Sequence, residues 1–254
     1  GLVISTKVGL SNDDLSDVYG AITRSLDASL VRLRLDHVDI FQLHNTLGRT
    51  DFRGTLTIDQ IMDAVVPAFD KLRETGKVRF LGFTAKGEAD DLHKLVSCGV
   101  FHSAQVFYNL LVPSAGEPIA ANYPSDDYKL LLEAAKDHGV GTICVRVLAG
   151  GALSGSAARH PLGMPNVTPI GSETDYATDV KRGLTFMSLV EAGHAGSLIE
   201  LAIRYVISNP ALPTTEIGIA TLDELQQATD AANKGPLSTD ALAAIKKVQA
   251  GFVI

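Results

Sequence analysis

The run Val38-Asp39-Ile40-Phe41-Gln42-Leu43-His44-Asn45 is a nearly continuous apolar segment that stops on polar residues. It shows little alternation, which is how a strand covered on both faces reads. Five further runs share its length and β-rich character: Leu2–Thr6, Val78–Thr84, Ala104–Phe107, Gly141–Val147 and Thr215–Ile219. Between them the apolar residues recur at three- and four-residue spacing. Leu26, Leu30 and Leu33 form one such stripe, and Ile61, Val65, Ala68, Phe69 and Leu72 a second. Leu130, Leu131, Ala134 and Ala135, and then Leu198, Leu201, Ala202, Tyr205 and Val206, continue the pattern. Gly76, Gly99 and Gly139 each fall just past a helical stretch, where a left-handed cap is wanted. Strands alternating with helices predict a parallel α/β sheet with right-handed crossovers.

Six strands are expected, followed by helices over Leu222–Ala232 and Thr239–Ala250, the second introduced by Pro236 with Ser238 as its N-cap. Two irregular stretches, about Asn45–Leu56 and Ala149–Val180, interrupt the pattern, and loops of that length are usually functional. The chain starts on Gly1 and is in an apolar run by Leu2, with none of the loose polar residues that usually precede a domain. That start reads as a domain, spanning residues 1–254, from which an N-terminal segment has been removed.

With 254 residues, 46% of them hydrophobic and 20% charged, the chain is long enough to bury a sizeable core and too apolar for disorder. A net charge of -7 argues against nucleic acid, whose phosphates need a basic face. No apolar run approaches the roughly 18–20 residues that span a bilayer, so no membrane partner is expected. Two cysteines, Cys98 and Cys144, cannot make a disulfide framework, which points to a reducing, cytoplasmic setting.

In parallel α/β folds ligands bind at the carboxyl ends of the strands. Here those ends carry Lys7, then Gln42 to Asn45, then Thr84, then Gln105 to Asn109, then Arg146 ahead of a glycine-rich loop. Any one of them alone reads as a solvated terminus, whereas five polar ends on one face read as a site. Lys7 and His44 are the pair whose chemistry such a site could use, His44 reading equally from position alone as a satisfied core histidine. An ammonium among apolar walls lowers the pKa of a neighbouring acid, and an imidazole hydrogen-bonds a carbonyl or relays a proton. No His or Cys cluster has metal-ligand spacing, so no metal is expected. There is no Gly-x-Ser-x-Gly elbow, no phosphate-loop Gly-Lys-Ser/Thr and no Gly-x-Gly-x-x-Gly.

These residues resemble the aldo-keto reductases, NAD(P)H-dependent (β/α)8 barrels of the TIM type that reduce carbonyls. The likeness runs through Ile4-Ser5-Thr6-Lys7, Ser25-Leu26, Ser29-Leu30, Arg32-Leu33, Asp36, Val38-Asp39, Gln42 and His44-Asn45. It continues through Gly76-Lys77-Val78-Arg79, Leu81-Gly82, Gln105, Tyr108-Asn109, Arg146 to Gly151 and Ile217-Gly218. The wording Gly82-Phe83-Thr84-Ala85 and Tyr108-Asn109-Leu110-Leu111 is similar to a bacterial single-barrel branch. The resemblance implies about six βα units, the third to the eighth, plus C-terminal helices.

It also implies roles. Lys7 and His44 match two of the four catalytic positions; the Asp and the proton-donating Tyr belong to a segment ahead of Gly1, and none of the chain's six tyrosines matches that Tyr. Gln105 matches the glutamine on the nicotinamide carboxamide. Thr84 stands for the serine on the same amide, with Ala85 in place of an asparagine. Arg146, Leu148, Gly150 and Leu153 match the loop that wraps the pyrophosphate. Gly218, Thr221, Glu224 and Gln227 lie at the adenosine end, where a carboxylate suits a free 2′-hydroxyl better than a phosphate. NADP or NAD is thus the expected cofactor, without a strong NADP preference, and a small carbonyl compound the expected substrate. A second expectation follows from the missing Tyr and Asp: a catalytically silent barrel that binds nucleotide or protein. Open barrel edges would favour self-association.

Overall fold

A computed structural model describes residues 1–48, 54–156, 158–172 and 174–253. The chain divides into two compact units, Gly1–Val106 with Ala134–Thr142, and Phe107–Glu133 with Ile143–Ile254.

The first unit is built on parallel strands β1 (Ser5–Val8), β2 (Val38–Leu43), β3 (Val78–Thr84) and β4 (Ser103–Phe107), neighbours in that order. The register sets Lys7 opposite Gln42, Leu43 opposite Phe83, and Thr84 opposite Gln105. Helix α1 (Val18–Leu33) packs on β1 and α2 (Val66–Glu74) on β3, with α3 (Ala89–Ser97) following β3 in the chain. Phe41, Leu43, Leu81 and Phe83 are wholly buried, as are Ile22, Leu26, Phe69 and Leu72 of the helices. Ring contacts Phe41–Phe69 at 5.7 Å and Phe83–Phe101 at 5.1 Å close this core. Pro67 lacks an N–H, and the helix widens into a π turn over Ile61–Val65 just ahead of it. Gly82 is required where β3 passes Ser103, since a Cβ there would run into the Ser103 hydroxyl.

The expected strand Leu2–Thr6 is displaced to Ser5–Val8, with Leu2 and Val3 strongly exposed. The reason is pairing: β2 begins at Val38, and Ile4 is the first residue whose carbonyl it can engage, through Asp39 and Ile40 N–H. Lys7 accordingly lies within the strand. Leu33 is exposed, and the buried stripe of α1 runs through Ile22, Leu26 and Leu30 instead. Gly76, Gly99 and Gly139 take the left-handed φ expected of caps. Within the Asn45–Leu56 stretch, Thr46–Leu47 pairs with Thr55–Leu56, and residues 49–53 lie outside the described residues.

Strand β5 (Gly141–Val145) starts in the first unit, where Gly141 N–H reaches His102 O at 2.9 Å. Within the second unit its Ile143 and Cys144 pair with β6 (Thr214–Thr215). Both elements are shorter than expected. Arg146 turns left-handed with φ 61 and ends β5, and after Glu216 N–H reaches Cys144 O the last run peels away to an exposed Ile219. Helix α4 (Leu131–Asp137) precedes β5; α5 (Tyr176–Thr185), α6 (Met187–Glu191), α7 (Leu198–Ile207), α8 (Leu222–Asn233) and α9 (Thr239–Ala250) complete the second unit. As expected, Ser238 caps α9, accepting from Ala241 N–H. No helix among the described residues is long and apolar enough to cross a membrane.

Candidate active site

Four of the expected residues fall in the first unit. Lys7 is on β1, His44 sits one residue past β2, Thr84 ends β3 and Gln105 is central in β4. His44 N–H donates to Val8 O at 2.8 Å, which fixes its backbone beside the end of β1. Its ring Nδ1 lies 2.8 Å from Thr84 Oγ1, and Thr84 Oγ1 lies 3.2 Å from Gln105 Oε1. Thr84 and Gln105 are almost fully buried while His44 is exposed, so the chain of bonds runs from an accessible ring into the interior. Partial burial of the ring, then the charges of Lys7 and Lys86, hold the imidazole below its ordinary pKa.

Two residues here were given no role of their own from sequence. Asn45, buried beside His44, accepts from Leu10 N–H and donates to Leu10 O and Gly54 O, clamping the chain after β1 to the chain after β2. Lys86 follows Thr84 by two positions and adds a second ammonium near His44. Its place just past a strand end was the available signal. Among the described residues no group of three or more His, Cys, Asp or Glu is placed to hold a metal.

The tyrosines are engaged elsewhere. Tyr19, the first unit's tyrosine, lies on α1 under Lys71. In the second unit Tyr108 and Tyr205 stack at 5.0 Å, and both hydroxyls donate to Glu117. Burial raises the pKa of each well above the phenol range. Tyr123 packs against Phe252 and Tyr128 against Phe107, while Tyr176 meets Arg159.

The second unit holds the remaining residues in two groups. In the first, Arg146 is half-buried with a left-handed backbone, and Asn109 Nδ2 donates to its carbonyl at 2.9 Å. The turn Ala149–Gly151 follows; Leu148 O accepts from Gly151 and Leu153 N–H, and Leu153 is buried. Gly150 has φ 68, and a Cβ there would stand 2.9 Å from an Arg146 Nη1 and 2.6 Å from Val167. Arg159, also unforeseen, donates to Gly150 O at 2.8 Å and to Met164 O at 2.6 Å. Burial, then the Arg159 charge, lowers the Arg146 pKa. Among the described residues no carboxylate forms an ion pair with either arginine.

In the second group Thr221 caps α8, accepting from Glu224 N–H, while the Glu224 carboxylate folds back onto Ala220 N–H at 2.5 Å. Gly218 is exposed with nothing close to it. Gln227 lines an open cleft of about 250 Å³ with Gly196, Ser197, Ile199 and Glu200.

Residues 1–250 match the model of the Aldo/keto reductase family. The chain is 27% identical over 230 residues to L-galactose dehydrogenase of Arabidopsis thaliana, covering 89% of this chain and 62% of the plant protein. It is 26% identical over 242 residues to the uncharacterized oxidoreductase YrpG of Bacillus subtilis, covering 89% and 65%. The chain thus spans less than two thirds of the length of these two curated relatives. Among solved structures, aldo-keto reductase AKR11C1 of Bacillus halodurans (holo form) superposes with a TM-score of 0.65 at 20% identity, covering 97% of this chain and 72% of that one. The likeness gives the fold, a parallel (β/α)8 barrel type.

Proposed function

The chain belongs to the aldo/keto reductase family, and on that premise we propose that Lys7, His44, Thr84 and Gln105 are the carbonyl-reducing centre of an NAD(P)H-dependent oxidoreductase for small aldehydes or ketones. The observation that carries the reading is the hydrogen-bonded row His44–Thr84–Gln105 on adjoining strand ends, with Lys7 one strand away. When bound, a reduced nicotinamide supplies hydride to the carbonyl carbon. The buried amide of Gln105 and the Thr84 hydroxyl fit a carboxamide, each offering polar atoms in an apolar wall. His44 joins the proton relay to the carbonyl oxygen, and the Lys7 ammonium favours the ionised form of an acid beside it.

In the second unit, two arginines with no carboxylate partner among the described residues fit the pyrophosphate, held by Arg146, Leu148, Gly150 and Leu153. Gly218, Thr221, Glu224 and Gln227 take the adenosine end. Glu224 places negative charge at that end, which supports use of NAD at least as readily as NADP. The two unbridged cysteines fit a reducing, cytoplasmic setting, and the outer edge of β1 fits self-association.

The environments of the tyrosines favour a second reading, a nucleotide-binding chain without turnover, since loss of a general acid costs about 10²–10⁴-fold. Titrating the chain with NADH and NADPH by fluorescence, then following nicotinamide absorbance with a generic aldehyde, separates the two. Turnover abolished by Lys7→Met supports the reductase. Binding without turnover supports the silent module, and no binding of either nucleotide removes both.

A further inference from the structure

The row His44–Thr84–Gln105 has a direction. Gln105 Oε1 is an acceptor only, so at 3.2 Å the single hydroxyl proton of Thr84 points toward it. Thr84 Oγ1 then offers a lone pair to whatever lies on its other side, which is His44 Nδ1 at 2.8 Å. That contact is a hydrogen bond only if Nδ1 carries the ring proton. We propose that Thr84 is a positioning residue that locks neutral His44 in the Nδ1–H tautomer, leaving Nε2 as a lone-pair acceptor.

The consequence concerns what His44 can do. With Nδ1 committed to Thr84, the neutral ring accepts a hydrogen bond from an O–H through Nε2 and cannot donate one to a carbonyl there. Donation at Nε2 requires a second ring proton, and burial, then the Lys7 and Lys86 charges, oppose it. The neutral ring is therefore suited to holding the hydroxyl of an alcohol, or of an acid that protonates the carbonyl, by accepting its proton-side hydrogen bond. This consequence rests on the proposed reading of the site, whereas the tautomer itself is a property of the chain alone.

Nitrogen-15 histidine NMR on the full chain, on the alkaline side of neutral and without cofactor, reads the tautomer directly, with His44→Gln identifying the signal. Wild type is expected to show a protonated Nδ1 and a bare Nε2. Thr84→Val, close in shape, should shift the signal toward a mixture of tautomers, and Thr84→Ser should restore the wild-type pattern. The remaining histidine signals report whether each variant is folded. A protonated Nε2 in the wild-type chain would overturn the proposal, as would a folded Thr84→Val variant with an unchanged His44 signal. Should Thr84→Val fail to fold, the wild-type and Thr84→Ser spectra still decide. Failure of cofactor binding with the Nδ1–H form intact would count against the reductase reading and leave this inference standing.

Discussion

An imidazole tied at one nitrogen and approached by two ammonium groups works as a neutral ring, and its ionisation is written into the stability of the fold. Unfolded, His44 titrates near 6.5; folded, its pKa is lower, with burial the leading cause. Below 6.5 the unfolded chain binds more protons than the folded one, so this contribution is complete above 6.5 and lost as pH falls toward the folded value. Thermal melts should therefore fall as pH drops below 6.5, by less in His44→Gln than in wild type. An equal slope in the variant would contradict the coupling. On the proposed reading that Glu224 meets the adenosine, Glu224→Gln keeps an acceptor for Ala220 N–H and removes the charge. Fluorescence titration should show NADPH gaining about three- to fivefold on NADH, the scale of one exposed charge contact. The grouping of Lys7, His44, Thr84 and Gln105 on neighbouring strands was legible because polar residues interrupt or end apolar runs. The bracing roles of Asn45 and Arg159 were not, because their work is done on the backbone carbonyls of Leu10, Gly150 and Met164. Nothing in a sequence says which distant carbonyl a side chain will reach.

Elements carry the site through a few backbone clips. Leu47 N–H donates to Lys86 O and Glu88 N–H to Leu47 O, joining the chain after His44 to the chain after Thr84. Gly87 makes this approach possible: its φ is 120, and a Cβ would collide with the Leu47 backbone. Gly87→Ala should cost about 1–3 kcal/mol from strain alone in chemical denaturation, with further loss as the clip opens. In the second unit Arg159 straps the turn at Gly150 to Met164 and Tyr176. Arg159→Ala should bring faster proteolytic nicking between residues 156 and 175 without a matching loss of global stability; an unchanged cleavage rate would show that the strap is dispensable. Full-length strands β2 and β3 were readable from their apolar runs, since both are paired on both sides. The end strands were not. Leu2 and Val3 look like strand residues, yet only a partner's register decides where pairing starts.

At the scale of the molecule, the parallel α/β order was legible because strand and helix periods alternate along the chain, and the family because its motifs recur in order, whereas the division into two compact units is a property of contacts. A parallel sheet leaves a further consequence at its first strand. β1 pairs with β2, and no other strand among the described residues adjoins it. The carbonyls of Ile4 and Val8 face β2, accepting from Asp39, Ile40 and His44 N–H. Alternation along the strand therefore turns the Ser5 N–H to the outer edge, beside an exposed Leu2 and Val3. Such an edge templates pairing with a second copy. Sedimentation velocity over a concentration series should show reversible association of the wild-type chain. Ser5→Pro removes the outward N–H and leaves the β2 ladder intact, so it should shift the equilibrium toward the monomer. Ser5→Ala is the control, because it loses the hydroxyl that accepts from Gln42 Nε2 while keeping the N–H, and it should associate as wild type does. A chain that stays monomeric throughout, or a Ser5→Ala variant that dissociates as readily as Ser5→Pro, would remove the edge from the explanation.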